Sequence, residues 1–231
     1  MKKRGRVAVR EGKEGRELRV DGTLASLQRP GRSLTGTVWW ALASPIVLVP
    51  ARRAPRQVLI LGLAAGSVAA AVRQLAPEAH IVGVELDHEV LDAARAHFDL
   101  DRLGIELHAV DARDYLARER RGFDLIVEDL FVGPSRSVRK PGWLLEEGYP
   151  AIGRRMRPAG FVSSNTIHEM PGVVRAMRPI AGRVVSLDVR SHWNRIVVGG
   201  RDLPPARALR RELSRQPAIS RSLSRLALRA R

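Results

Sequence analysis

Between residues 57 and 200 short runs of consecutive apolar residues alternate with stretches whose apolar positions recur every three or four residues. The apolar runs are VLILG (58–62), HIVGVE (80–85), IELHAV (105–110), FDLIVED (123–129) and GFVSSNT (160–166). Helices are predicted over Ser67 to Leu75, Glu89 to Phe98, near Tyr115 to Arg118, and Leu144 to Met156. Runs without polar alternation suit strands buried on both faces of a parallel sheet, and right-handed crossovers then wind the helices onto both sides. The expected class is α/β: a Rossmann-like, doubly wound, mostly parallel sheet over residues 57–200. The later runs, Arg183 to Val189 and Trp193 to Gly199, flank a polar Arg190-Ser191-His192 turn and are expected to close the sheet as an antiparallel pair.

The flanks follow other patterns. Residues 1–56 predict a small antiparallel β cap: Arg6 to Arg10, a turn through Gly12 and Gly15, Glu17 to Val20, an Asp21-Gly22 turn, and Thr23 to Leu27. A helix packed by Trp39 and Trp40 is expected over Thr35 to Ala43, after which Pro45, Pro50 and Pro55 should keep the chain extended to a domain boundary near Arg56. Residues 201–231 carry Leu209, Leu213, Ile219, Leu223, Leu226 and Leu228 among arginines, predicting a basic tail of one or two amphipathic helices. That tail either docks its leucines onto the domain or meets a membrane or RNA.

Composition narrows the picture. The chain of 231 residues is 45% hydrophobic and 28% charged, proportions that suit a globular core and exclude a disordered chain. It has no cysteine, which removes disulfides, thiolate metal sites and cysteine nucleophiles. The formal charge of +16 is concentrated at the ends, +9 in residues 1–56 and +7 in residues 201–231, leaving the centre neutral. Basic ends allow nucleic acid or membrane contact, yet all but four of the 40 basic residues are arginine, a bias that genome composition alone can produce. The longest apolar stretch, Val38 to Ala51, holds two prolines and falls short of the roughly 20 residues needed to span a bilayer. Val7 to Val9 behind Lys2-Lys3-Arg4 is too short for a secretory signal, so a cytoplasmic location is expected.

Ligands of an open parallel sheet bind outside the carboxyl ends of its strands. After the first central strand comes Gly62-Leu63-Ala64-Ala65-Gly66-Ser67, a small-residue turn that allows close approach to backbone amides or serves simply as a tight connection. The second strand ends at Glu85, 19 residues beyond Gly66, the spacing of an acid that accepts from ribose hydroxyls. The third ends at Asp111, which either accepts from an adenine amino group or caps the helix containing Tyr115. The fourth ends at Glu128-Asp129, facing the same crevice or, for Asp129, bracing its own loop. His168-Glu169 at the rim is read as structural before acid–base, and His80, His88, His97 and His108 show no ligand spacing, so no metal is proposed. Trp143, Tyr149 and Trp193 are read as packing residues. Trp143 also follows a lid loop, Gly133 to Gly142, whose Arg136, Arg139 and Lys140 would favour an anionic acceptor.

Residues 17–200 resemble the spermidine synthase family, the polyamine aminopropyltransferases, which have the class I S-adenosylmethionine-binding (methyltransferase-type) fold. The similar stretches are LRVDGTLASL (18–27), VLILGLAAGS (58–67), VGVELDHEVLDAARAHF (82–98), VDARDYL (110–116), FDLIVEDLFVGP (123–134) and WLLEEGYPAIGRRMRPAG (143–160). The resemblance implies a transferase using S-adenosylmethionine or its decarboxylated form. It implies nucleoside binding by Gly62, Ala64, Gly66, Ser67, Glu85, Leu86, Asp111 and Ala112, with Asp129 as general base. It also implies a small-molecule acceptor and a homodimer built through the N-terminal strands. The chain departs from the family where an aspartate of the glycine-rich loop is replaced by Ala65, where a second aspartate is replaced by Val132, and in lacking a tyrosine over residues 17–56. Loss of the loop acid suits a donor that keeps its own carboxylate, so methyl transfer from intact S-adenosylmethionine is expected over aminopropyl transfer. Two alternatives stand beside it: an aminopropyltransferase whose amine site is rebuilt from Glu128, Glu146 or Glu147, and a non-catalytic relative that binds a nucleoside, RNA or protein.

Overall fold

Val58 and Ile60 enter one apolar layer while Leu59 and Leu61, between and beside them, enter the other. This is the period-two alternation of a strand covered on both faces. The computed structural model describes residues 6–190, 192–220 and 223–231; Lys2, Lys3, Arg4 and the Ser191 of the expected turn lie outside the described residues.

A three-stranded antiparallel sheet, β1 (Val7–Gly12), β2 (Gly15–Val20) and β3 (Thr23–Gln28), precedes α1 (Val38–Ala43), which Thr37 caps. The central unit then runs β4 (Gln57–Leu61), α2 (Ser67–Leu75), β5 (His80–Glu85), α3 (His88–His97), β6 (Ile105–Ala109), α4 (Ala112–Arg118) and β7 (Phe123–Glu128). It continues with α5 (Tyr149–Arg155), β8 (Met156–Thr166), α6 (Met170–Ala181), β9 (Arg183–Val189) and β10 (Arg195–Gly200). Last come α7 (Ala206–Ser214), α8 (Pro217–Ser220) and β11 (Leu226–Ala230). The eight-stranded sheet has the order β11-β9-β10-β8-β7-β4-β5-β6, parallel from β8 through β6 and antiparallel from β8 through β11. The expected α/β class and antiparallel closure are both present.

Several local expectations are corrected. Pro45 and Pro50 start 3₁₀ turns, Ser44–Leu48 and Ala51–Arg53, in place of extended chain, because a missing amide proton costs nothing in the first turn of a helix. The helix expected over Leu144 to Met156 is split into a π-helical turn, Leu144–Gly148, and α5, and Met156 already belongs to β8. The strand expected from Trp193 begins at Arg195, and Trp193 does not pack: it is 91% exposed. Residues 226–230 are a strand, not a helix. Leu226 pairs with Val189 and buries its side chain, while Leu209, Leu213 and Ile219 pack into the same core layer. The tail thus takes the docked alternative, filling the sheet edge left open by β9.

The N-terminal sheet is fastened to the turn between β4 and α2. Ala65 N–H donates to Ser26 Oγ at 2.9 Å, Leu27 N–H donates to Ser67 Oγ at 2.8 Å, and that hydroxyl donates to the Leu27 carbonyl at 2.9 Å. These three bonds make β3 one wall of the crevice at the strand ends.

Candidate active site

A cavity of about 490 Å³ opens where β4 has β5 on one side and β7 on the other, the switch point of a doubly wound sheet. Its volume lies within the roughly 300–1,000 Å³ usual for small-molecule sites.

The floor is the turn after β4. Gly62 has φ +84° and Ala64 φ +47°, left-handed conformations that let the chain reverse in few residues. A Cβ on Gly62 would stand 2.6 Å from the Asp129 carbonyl oxygen, so the absent side chain is what lets the two loops meet. Ala64 lines the cavity and gives its amide to Glu85 Oε2 at 2.9 Å. Glu85 Oε1 accepts from Asp87 N–H at 3.1 Å. Burial raises the Glu85 pKa against the pull of the Ala64, Asp87 and Leu86 amides. Leu86, Asp111 and Ala112 also line the cavity. Asp111 Oδ1 accepts from Arg113 N–H at 2.7 Å as the cap of α4, its structural alternative, while the residue still faces the cavity. Of the residues expected at the nucleoside, Gly66 and Ser67 are not among the lining. Gly66 turns the chain into α2 with φ +85°, and the Ser67 hydroxyl is spent on β3.

Asp129 follows β7 and stands at the centre of the crevice. Its Oδ1 accepts from Asn165 Nδ2 at 2.8 Å, and the Asn165 carbonyl accepts from Asn194 Nδ2 at 3.0 Å. Burial pushes the Asp129 carboxyl up to about 6, with Lys140 and Asn165 pulling down and Glu128 and Glu85 pushing up. Such a group is ionised at neutral pH and close enough to it to exchange a proton.

Glu128 does not face the crevice. It is fully buried beneath Asp129, accepting from Lys140 Nζ at 2.6 Å, Leu130 N–H at 2.8 Å, Tyr149 Oη at 3.3 Å and the Ser164 hydroxyl. Alternation along β7 turns consecutive side chains to opposite faces, so Glu128 and Asp129 cannot share one site. Lys140, expected as a lid cation, is 6% exposed in this pair, its ammonium also bonding the Leu130 carbonyl at 3.1 Å and lying 4.0 Å from the Phe131 ring centre. Arg136 and Arg139 are not among the lining residues, so the loop does not supply the anionic-acceptor site expected of it. Glu147 pairs with Arg113, and Glu169 accepts from Ile167 and His168 amides at 3.0 Å, a structural role. Trp143 lines the cavity, and Tyr149 is buried. Asn165 and Asn194 escaped the sequence reading, although Asn165 is the penultimate residue of the fifth apolar run and lies near a strand end, as Asp111 does. Among the described residues no cluster of metal-ligating side chains occurs, and no helix is long and apolar enough to cross a membrane.

The fold is similar to that of the spermidine synthases and of the class I S-adenosylmethionine-dependent methyltransferases. A family model for a methyltransferase domain matches residues 58–137. The chain is 30% identical over 158 residues to polyamine aminopropyltransferase 2 of Hyperthermus butylicus, covering 64% of this chain and 48% of that protein. It is 29% identical over 156 residues to the polyamine aminopropyltransferase of Chromobacterium violaceum, covering 65% and 59% respectively. The chain therefore spans about half the length of these relatives. A probable spermidine synthase from Corynebacterium glutamicum superposes with a TM-score of 0.75 at 18% identity, over 97% of this chain and 87% of that one. Human methyltransferase-like protein 13, in complex with SAH, gives 0.66 at 21% identity, over 80% and 91%.

Proposed function

We propose that the protein is an S-adenosylmethionine-dependent alkyl transferase acting on a small molecule, with Asp129 as its general base. The observation that carries this reading is the position of Asp129, whose carboxyl is raised to about 6, between the nucleoside-type loops of β4, β5 and β6 and the Asn165–Asn194 pair. In this reading Glu85 takes the ribose, Asp111 and Ala112 take the adenine, Leu86 covers it, and Gly62 and Ala64 line the path between. Transfer from a sulfonium depends mainly on aligning nucleophile, carbon and leaving sulfur, a demand that one placed carboxylate and a shaped cavity can meet.

The donor we favour is intact S-adenosylmethionine, and the group transferred is methyl. Ala65 is buried and its amide is tied to Ser26, so the turn presents no carboxylate to a donor's amino end. The names of the relatives favour aminopropyl transfer from the decarboxylated donor, and the two are separated by experiment. Calorimetric titration with S-adenosylmethionine, its decarboxylated form and methylthioadenosine should show micromolar binding that Glu85→Ala abolishes. Transfer of a labelled methyl group then identifies the reaction, and failure of all three nucleosides to bind overturns the reading. A cytoplasmic location and a homodimer go with this proposal.

A further inference from the structure

The charges that line the cavity are unequal: five acids, Asp21, Glu85, Asp87, Asp111 and Asp129, and one base, Arg6. Arg6 is already spent on Asp87. With Glu85 and Asp111 at the nucleoside end, Asp129 is the carboxylate left for an acceptor inside the cavity, Asp21 being an exposed turn residue at its edge. The remaining wall is apolar and aromatic, formed by Trp39 of α1, Phe131, Val138 and Trp143 of the connection after β7, and Ile167 after β8. The hydrogen-bonding side chains of Asn165, Asn194 and His192 complete it. Glu128 is fully buried, is not among the lining residues and is paired with Lys140.

We propose that the acceptor is an apolar monoamine: one amino group carried on a body of aromatic size. The proposal rests on the transferase reading for the role of Asp129. Its physical basis is the match between one carboxylate and one ammonium in an otherwise apolar chamber. Asn165 holds Asp129 Oδ1, leaving Oδ2 to accept a charge-assisted hydrogen bond from the amine. Aromatic faces add attraction for the cation and area for its body. A second ammonium, as in a diamine, would be stripped of water beside Val138 and Ile167, and the one lining acid outside the nucleoside end and the Arg6–Asp87 pair that remains for it is the solvent-exposed Asp21, whose attraction water screens. In the transfer step the bound ammonium gives a proton to the Asp129 carboxylate and attacks as the free amine. The new N–C bond forms as the C–S bond breaks, the pair from that bond stays on sulfur, and the sulfonium becomes a thioether. The product leaves as a secondary ammonium and Asp129 releases its proton to water.

The test follows the fluorescence of the cavity tryptophans during titration with 2-phenylethylamine, 2-phenylethanol and 1,4-diaminobutane, with and without S-adenosylhomocysteine. The expected result is saturable binding of 2-phenylethylamine at least tenfold tighter than either other probe, with the advantage over the alcohol lost in Asp129→Asn. Equal or tighter binding of the diamine overturns the proposal, and so does equal binding of the alcohol or no binding of the amine. The comparison of probes on the unaltered protein needs no variant to fold. Donor binding by calorimetry on the same sample separates the two readings. A protein that binds the nucleoside and rejects the monoamine sinks this proposal alone; one that binds the monoamine and no nucleoside sinks the transferase.

Discussion

The Asn165 side-chain amide donates to Asp129 Oδ1 at 2.8 Å while its side-chain oxygen accepts from Asn194 at 3.0 Å, so an asparagine of β8, itself held by the residue just before the antiparallel β10, fixes the rotamer of one carboxylate. The hydrogen bond favours the ionised form. Replacing Asn165 with alanine should therefore move the Asp129 pKa above about 6. The acid limb of the pH–rate profile is expected to shift upward by at least half a pH unit, with a fall in kcat. An unshifted limb would exclude Asp129 as the titrating group.

Asp129 itself burdens the fold. An acid whose folded pKa is raised loses stability as pH rises from its unfolded value of 3.8 through its folded value of about 6. Asp129→Asn should abolish turnover yet stabilise the protein at pH 8 by on the order of 1–3 kcal/mol, with no gain at pH 3. Urea denaturation of the two proteins at both pH values measures this directly.

The buried Lys140–Glu128 pair clamps the end of the loop after β7 onto the sheet. Lys140→Met strands the Glu128 carboxylate in the core, an error that costs about 3–5 kcal/mol. Adding Glu128→Gln should recover much of the loss, because the remaining groups, Ser164, Tyr149 and the Leu130 amide, still have a neutral partner. Thermal unfolding of single and double variants checks the cycle.

On the far side of the sheet, Arg121 bonds Glu106 through both terminal nitrogens, at 2.8 and 2.7 Å, and also bonds Glu119. The Arg121 hydrogen bonds hold Glu106 down at about 2; against the upward pull of burial, Arg121 and Tyr115 hold Glu119 at about 2 as well. Acids with lowered folded pKa values add stability that is present above about pH 4.5 and lost as pH falls towards 2. Arg121→Ala should flatten the stability profile across that window, as read from urea midpoints at successive pH values.

Leu226 closes the sheet edge with its side chain 2% exposed. Leu226→Ala should destabilise the whole protein by about 2–4 kcal/mol. A tail that merely met a membrane or RNA would leave the unfolding midpoint unchanged.

How much of this was legible in the chain depends on the range of the interactions involved. Ser67–Leu75 and His80–Glu85 are written in consecutive residues, since periodicity and a glycine turn are local signals. The helix α6 is absent from the elements predicted from the sequence; it contains Gly172 and an internal Pro179, both poor helix formers, and burial of Val173, Met177 and Ala181 overrides them. Residues 226–230 carry leucines that a helix could use as well as a strand, and it was the open edge of β9 that chose.

The candidate site divides in the same way. The sequence by itself determined the α/β class and the acids at the strand ends, Glu85, Asp111 and Asp129, because strand-end positions follow from the order of local elements. Tertiary structure alone decided that Glu128 meets Lys140, that Ser67 is taken by β3, and that Asn165, held by Asn194, bonds Asp129. The physical reason is distance along the chain. Asp129 and Asn165 are 36 residues apart and Ser26 and Ala65 are 39, and no local propensity records a hydrogen bond that exists only once the sheet has assembled.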